Sequence, residues 1–159
     1  MAVSLTVLAS GSKGNCSIVA GGRTRILVDA GLSAREAFKR IKASDEDPHA
    51  LSAILISHEH SDHICGLAML AKKLGVPVYL TGATYQACRR LMRDKAGMMW
   101  KNDRVETFSA GSSFQVGDIS VTPFTIPHDA ADPVAFTFRA EGVKLAIVTD
   151  LGYMPASVR

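Results

Sequence analysis

The chain has 159 residues, of which 47% are hydrophobic, 21% charged and 6% aromatic, a composition typical of one globular domain and not of a disordered chain or a coiled coil. Its formal net charge of +3 is too small to indicate a polyanionic partner by itself. The apolar stretches at 53–56 and 64–71 are far shorter than the roughly 20 residues that cross a membrane, and residues 1–7 lack the basic leader of a secretory signal. We therefore expect a cytoplasmic protein without a membrane span.

The cysteines give no sign of a disulfide framework. Cys16, Cys65 and Cys88 form an odd, widely spaced set without a C-x-x-C pair. We expect reduced thiols that mostly pack in the core, and no cysteine-based zinc site.

The first third of the chain combines alternating apolar residues with glycine punctuation, which predicts short strands followed by a helix. The strands are expected over 4–8, 17–20 and 25–29, with a hairpin turn at 21–22. Ser33 followed by Glu36 resembles a capping box and predicts the start of a helix that runs to Ala43.

The middle of the chain changes to strand–helix–strand–helix order. Residues 53–56 predict a strand buried on both faces, and the six residues 58–63 follow it as a loop. Helices are expected over 64–74 and 84–96, a buried strand over 76–80, and further strands over 105–108, 114–116, 119–126, 135–139 and 144–149. This order predicts a layered α/β domain that contains a mixed sheet.

Three of the five histidines fall within one hexapeptide, His58-Glu59-His60-Ser61-Asp62-His63. On a loop that leaves a buried strand, imidazoles two positions apart can converge on one cation, and the adjacent Asp-His pair can reach a second one about 3.5–4 Å away. A hydrophilic turn with pH-sensitive imidazoles is the alternative, but crowded histidines repel each other once charged unless something binds them. The spacing therefore favours a site for two metal ions.

Two later residues follow apolar runs and could complete such a site. His128 follows the run 121–127, and Asp150 follows the run 145–149. Functional side chains are common where strands of α/β sheets end. Taken alone, however, a histidine after a strand is often structural, and Asp150 could equally cap the next turn.

Together these residues resemble the metallo-β-lactamase-fold hydrolases. The H-x-H-x-D-H motif at 58–63, Asp29-Ala30-Gly31 after a strand, His128 and Asp150 carry the resemblance. It implies that His58, His60 and His128 hold the first metal, that Asp62 and His63 hold the second, and that Asp150 bridges them. It also implies that Asp29 braces the metal loop through hydrogen bonds, and that Asp62 is catalytic, orienting a hydroxide between the two metals for attack on a phosphodiester.

A narrower resemblance is to the YycJ/WalJ branch of that superfamily, which are metal-dependent DNA exonucleases. The segments 8–17, 126–130, 132–136 and 148–152 carry it. It implies a DNA substrate and two divalent ions, zinc or manganese. The Gly-Ser loop within 8–17 could cradle phosphate through its backbone amides, with Ser12, Lys13 and Asn15 as the candidate substrate contacts, or it could be a plain connection between strands.

A basic stretch between Arg89 and Arg104 has six positive and two negative residues around Trp100. It reads either as a solvated helix face or as a patch that follows phosphates.

The chain also departs from the family pattern, because no histidine follows His128 to complete the second site. We therefore expect residues 1–159 to be the N-terminal portion of a single metallo-β-lactamase-like domain, an αββα sandwich incomplete at the C-terminus with its second sheet largely absent. An apolar sheet face should then be exposed, to be covered by the missing C-terminal half or by self-association. Two alternatives to the exonuclease stay open, a hydrolase of a small cyclic phosphodiester or thioester and a catalytically incompetent fragment or binding module.

Overall fold

A mixed six-stranded sheet forms the centre of the fold in the computed structural model, which describes residues 2–92, 104–154 and 156. Its strands lie side by side in chain order: β1 (Ser4–Ala9), β2 (Cys16–Gly21), β3 (Thr24–Val28), β4 (Ala53–Leu55), β5 (Val78–Thr81) and β6 (Val105–Phe108). The pairs β1/β2 and β2/β3 are antiparallel, and the pairs from β3 to β6 are parallel. The predicted mixed sheet is therefore confirmed.

Helices provide the parallel crossovers on one face of this sheet. They are α1 (Ala34–Ala43), the single turn α2 (Ser61–Ile64), α3 (Leu67–Leu74) and α4 (Gly82–Leu91), with a 3-10 turn at Pro48–Ala50. The predicted cap of α1 is confirmed, because Ser33 Oγ accepts a hydrogen bond from the backbone N–H of Glu36 at 3.2 Å.

Several element boundaries differ from the sequence expectation, most of all those of the helices. The hexapeptide is not wholly a loop, and the helix expected from 64 is divided, because α2 begins at Ser61 and α3 only at Leu67. At the break, a Cβ on Gly66 would overlap the backbone oxygen of Leu32. The chain therefore passes so close to the loop after β3 that only glycine fits at this position. The helix expected from 84 begins at Gly82, capped by Thr81, and its expected end at 96 lies outside the described residues.

A second, antiparallel sheet packs on the other face of the first. Its strands are β7 (Phe114–Val116), β8 (Ile119–Thr125), β9 (Val134–Ala140) and β10 (Val143–Ile147), in the order β10-β9-β8-β7. The expectation that this sheet is largely absent is wrong. Local hairpins build it, with positive φ at Gly117, Glu141 and Gly142 in the turns, so four strands form without any more distant segment.

Alternating residues of the central strands supply two separate cores. Ile18, Leu27 and Ile54 face the helices. Their neighbours Val19, Ile26 and Leu55 face the second sheet, together with Val121, Phe136 and Phe138. Helices, first sheet and second sheet therefore form three successive layers of the predicted sandwich.

The gap between the sheets is open along one side. At the β6/β7 side it is closed by stacked aromatic rings, with Tyr79 and Phe114 centroids 5.0 Å apart. At the β1/β10 side, Leu5 and Val7 lie on the inner face of β1 with 39% and 56% of their surfaces exposed. They line a groove of about 230 Å³ between the two edge strands, so the apolar surface left open lies along one edge and is not the whole sheet face that an absent second sheet would expose.

No helix in the described part of the chain is both long enough and apolar enough to cross a membrane.

Candidate metal centre

Strand ends from both sheets gather the predicted ligands at one edge of the sandwich. Asp29 follows β3 and His58 follows β4, whereas His128 follows β8 and Asp150 follows β10. Asp29 and Asp150 both have left-handed backbones, with φ of 62° and 55°, a conformation that aspartate tolerates better than most residues. The sharp turns aim these side chains back across the strand ends.

The first group of metal-ligating side chains is His58, His60 and His128. One ring nitrogen from each lies within 4.8 Å of the others. His60 Nδ1 and His128 Nε2 are 3.1 Å apart, although 68 positions separate the two residues in the sequence. The structure thus brings together all three side chains expected to hold the first metal.

The second group is His58, His63 and Asp150, whose ligand atoms also lie within 4.8 Å of one another. Asp150 Oδ2 lies 2.6 Å from His63 Nε2 and 3.5 Å from His58 Nε2. Asp62 joins this group, since its Oδ2 is 3.4 Å from His63 Nε2. The carboxylate of Asp150 therefore faces His63 and also His58, which belongs to both groups.

Asp29 contacts a histidine of the second group but is not itself one of the candidate metal ligands. It is almost fully buried, and its two oxygens accept hydrogen bonds from the N–H and the Oγ–H of Ser57 at 2.8 and 2.9 Å. Asp29 Oδ2 also lies 2.7 Å from His63 Nδ1. With Nδ1 turned to Asp29, Nε2 is the ring nitrogen of His63 that faces Asp150 and Asp62 and that could bind a metal.

Burial and neighbouring charges shift the pKa values of the two buried histidines, His58 and His63, in opposite directions. Burial, reinforced by the positive charge of a protonated His63, lowers the pKa of His58 to about 4. Burial alone would also lower the pKa of His63, but its hydrogen bond to Asp29 and the charges of Asp29, Asp62 and Asp150 outweigh it, so that pKa is raised. His58 is therefore a neutral imidazole at pH 7, the form that binds metals.

The residues present fit divalent metal ions. His58 Nε2 is completely buried and has no hydrogen-bond partner among the described residues, and its 3.5 Å approach to Asp150 is too long to supply a good one. An unsatisfied buried nitrogen is destabilising by about 1–3 kcal/mol, which a bound cation would relieve. Imidazoles and carboxylates without thiolate suit zinc, manganese or iron, and ligand chemistry does not distinguish among them.

Sequence reasoning assigned no role to Glu59, which connects the hexapeptide to the loop of His128. Its side chain is 9% exposed, and Oε1 accepts a hydrogen bond from the N–H of Ala131 at 2.8 Å. The available signal in the sequence was the place of Glu59 between two candidate metal ligands of the motif. Glu59 therefore helps to hold His128 near His60.

The candidate substrate contacts on the Gly-Ser loop divide into two kinds. Ser12 and Lys13 are exposed, and their role stays a prediction. Asn15 differs from them, because it is 9% exposed and its side chain is hydrogen-bonded to Asp62. Of the basic stretch, Arg89, Arg90 and Arg104 are exposed, whereas Trp100 and the other charged residues lie outside the described part.

A cavity of about 670 Å³ opens beside the ligand groups. Its polar side is lined by His60, Ser61 and Asp62, and its apolar side includes Ile64 and Leu91. A substrate of appreciable size can therefore reach the proposed metal ligands.

Comparison with known proteins decides the family. The family model described as "Beta-lactamase superfamily domain" matches residues 24–159. The chain belongs to this superfamily. Among solved structures of the superfamily's fold, the subclass B3 metallo-β-lactamase MEM-A1 from a soil metagenome library superposes with a TM-score of 0.70 at 23% identity, over 90% of this chain and 58% of that one. The metallo-β-lactamase fold expected from the sequence is thus confirmed.

Two curated relatives carry the names of the narrower branch. The exodeoxyribonuclease YycJ of Bacillus anthracis is 40% identical over 154 residues, which are 97% of this chain and 56% of the relative. The exodeoxyribonuclease WalJ of Streptococcus pneumoniae is 35% identical over 151 residues, covering 94% of this chain and 54% of the relative. The chain therefore spans just over half the length of these relatives.

Proposed function

We propose that the chain forms the metal-binding part of a divalent-metal-dependent exodeoxyribonuclease that hydrolyses phosphodiester bonds in DNA. One observation carries the proposal: two ligand groups share His58 and enclose a position between histidine nitrogens and carboxylate oxygens. The 40% identity to an exodeoxyribonuclease supports DNA as the substrate class. Zinc or manganese, two ions per chain, is the proposed cofactor.

Divalent ions bound in such a centre would lower the pKa of water to near neutrality and neutralise charge on phosphate oxygens. His58, His60 and His128 would hold the first ion, with Asp62 and His63 on the second and Asp150 between them. Asp62 Oδ2 accepts a hydrogen bond from Asn15, which leaves Oδ1 as the oxygen that can accept one from the attacking water. Asp62 would thereby orient the nucleophile, while Asp29 keeps the His63 ring in place.

Besides DNA, we propose further polypeptide as a partner, which covers Leu5 and Val7 on β1. The relatives are nearly twice as long as the part matched here, so the remaining length of a longer protein is the natural cover, and a second copy would serve in the isolated chain. On this view residues 1–159 are the N-terminal portion of one domain. A cytoplasmic location stays a prediction from the sequence.

Asp62→Asn tests the proposed chemistry, since it removes the carboxylate charge while preserving side-chain size. We expect loss of DNA hydrolysis by at least about a hundredfold with Zn²⁺ or Mn²⁺, the contribution typical of a positioned acid–base group. Asp45→Asn, which changes an exposed carboxylate on the loop after α1, is the matched control and should retain activity. Release of nucleotides from linear DNA is the measurement, with circular dichroism to confirm the fold.

Three results would contradict the proposal in different ways. Unchanged hydrolysis in Asp62→Asn would remove that residue's assigned role. Cleavage of a chromogenic phosphodiester without any action on DNA, or without salt-dependent DNA binding, would favour the small-substrate hydrolase. Fewer than two tightly held ions per chain would favour the incompetent fragment.

A further inference from the structure

The Gly-Ser loop between β1 and β2 lies directly against the segment that carries the second ligand group. The backbone N–H of Asn15 donates to the carbonyl oxygen of Asp62 at 2.8 Å, and the N–H of Gly31 donates to the carbonyl oxygen of Asn15 at 2.9 Å. Asn15 thus lies between the strand-end turn after β3 and the start of α2. The loop is therefore more than a connection between two strands.

The side chain of Asn15 reaches into the second group. Its Nδ2 donates to Asp62 Oδ2 at 3.1 Å and lies 3.3 Å from His63 Nε2. The residue is only 9% exposed, so water does not compete strongly for these contacts. A single buried amide therefore contacts two of the side chains that the proposed second ion requires.

Local contacts fix which end of the amide faces the ligands. Nδ2 donates to the carbonyl oxygen of Gly11 at 2.8 Å, while Oδ1 accepts from the N–H of Gly11 at 3.3 Å. A flipped amide would lose both bonds and set its oxygen against the carboxylate of Asp62. Gly11 adopts φ of +128°, a conformation that suits glycine, so the turn itself helps to present the N–H side to Asp62.

We propose that Asn15 is a positioning residue for the second metal ion: its buried N–H holds the Asp62 carboxylate in the orientation that binds this ion. The inference rests on the proposed function. It also replaces substrate contact as the role of Asn15, because a side chain occupied by Gly11 and Asp62 is not presented to a substrate. The first group should be unaffected, since within the described part of the chain the Asn15 side chain contacts Gly11, Asp62 and His63 and neither His60 nor His128.

Metal titration of the full chain tests this role without any substrate. In Asn15→Ala, calorimetry with Zn²⁺ should show the second ion bound at least about tenfold more weakly, as is typical when a group supporting a ligand is removed. The affinity for the first ion should stay within about twofold. Titration with Co²⁺ should show the same selectivity, with altered visible absorption for the second equivalent only. Gln115→Ala removes an exposed carboxamide from β7 and is the control.

Two further variants separate positioning from a general effect on folding. Asn15→Ser keeps a short polar group near Gly11 but cannot reach Asp62, so it should reproduce the loss even if Asn15→Ala folds poorly. In an Asp62→Ala background, Asn15→Ala should cause a smaller loss of affinity than in the wild type, because the contact with Asp62 is already absent and only the one with His63 remains.

Unchanged affinity for the second ion in Asn15→Ser, or a loss on the Asp62→Ala background as large as that in the wild type, would overturn the positioning role while leaving the proposed function intact. A wild-type chain that binds fewer than two ions would overturn both.

Discussion

Burial sets the chemistry of the three thiols at the residue scale. Cys16 and Cys88 are buried, and desolvation raises the pKa of each to about 12. Cys65 is exposed on the turn between α2 and α3. Because the thiolate is the reactive form, burial and a raised pKa act in the same direction on the first two residues.

We therefore predict selective alkylation of the folded chain at pH 8. A pKa of about 12 leaves roughly one thiolate in ten thousand at that pH, and the fraction rises only as the pH approaches 12. Iodoacetamide should label Cys65 first, with Cys16 and Cys88 following only on unfolding. Peptide mass spectrometry over time measures this, and native labelling of either buried thiol at the rate of Cys65 would refute it.

The candidate ligands of the hexapeptide could be recognised in the sequence because imidazole spacing is a local property of the chain. His128 and Asp150 were found with the same set, although their own local signals fit structural roles equally well. Glu59 and Asn15 could not be assigned in this way. Their roles depend on contacts with Ala131 and Asp62, which are 72 and 47 positions away in the sequence.

At the scale of elements, close contact between the turn after β3 and α2 positions the candidate metal site. The N–H of Ala30 donates to the carbonyl oxygen of His63, and that of Gly66 donates to the carbonyl oxygen of Ala30. At Gly31 a Cβ would overlap the backbone oxygen of Asp62. Glycine therefore lets the turn approach the helical segment that carries two ligands.

Gly31→Ala should push α2 away from the turn. We expect a loss of about 1–3 kcal/mol in the free energy of unfolding, the usual cost of overpacking, measured by urea denaturation. Gly82→Ala is the control, because a Cβ there meets nothing within 4 Å. Equal stability of the Gly31→Ala variant and the wild type would show that the backbone relaxes without penalty.

Strand and helix identities followed from hydrophobic period, whereas their exact ends did not. The capping pair Ser33 and Glu36 located the start of α1 because both signals are in the local sequence. The division between α2 and α3 follows from the approach of Gly66 to Leu32, a tertiary contact that no local pattern encodes.

At the scale of the whole molecule, the two sides of the sandwich differ, because one is closed and the other is open. Stacked rings seal the β6/β7 side, whereas β1 and β10 are edge strands with an apolar groove between them. The outer face of the second sheet, by contrast, carries Ser120, Thr122 and Thr137. The apolar surface in need of cover is therefore the inner face of β1.

We predict that the isolated 159-residue chain self-associates through this groove. Replacing Leu5 and Val7 together by threonine keeps strand propensity and removes apolar surface, so the double variant should remain monomeric at higher concentrations. Sedimentation velocity over a concentration series measures the shift. Met69→Gln, at a residue of α3 that is 41% exposed, is the control.

A monomeric parent chain at every concentration would contradict self-association. Equal association of the parent and the double variant would place the contact elsewhere.

The candidate metal ligands come from both sheets. His58, His60 and His63 follow β4, whereas His128 and Asp150 follow β8 and β10. A cation held by either group would cross-link the two sheets at the end where their strands terminate. A chelator would then lower the stability of the fold as well as remove the metal-dependent chemistry. The lifetime of the folded chain would depend on the supply of metal.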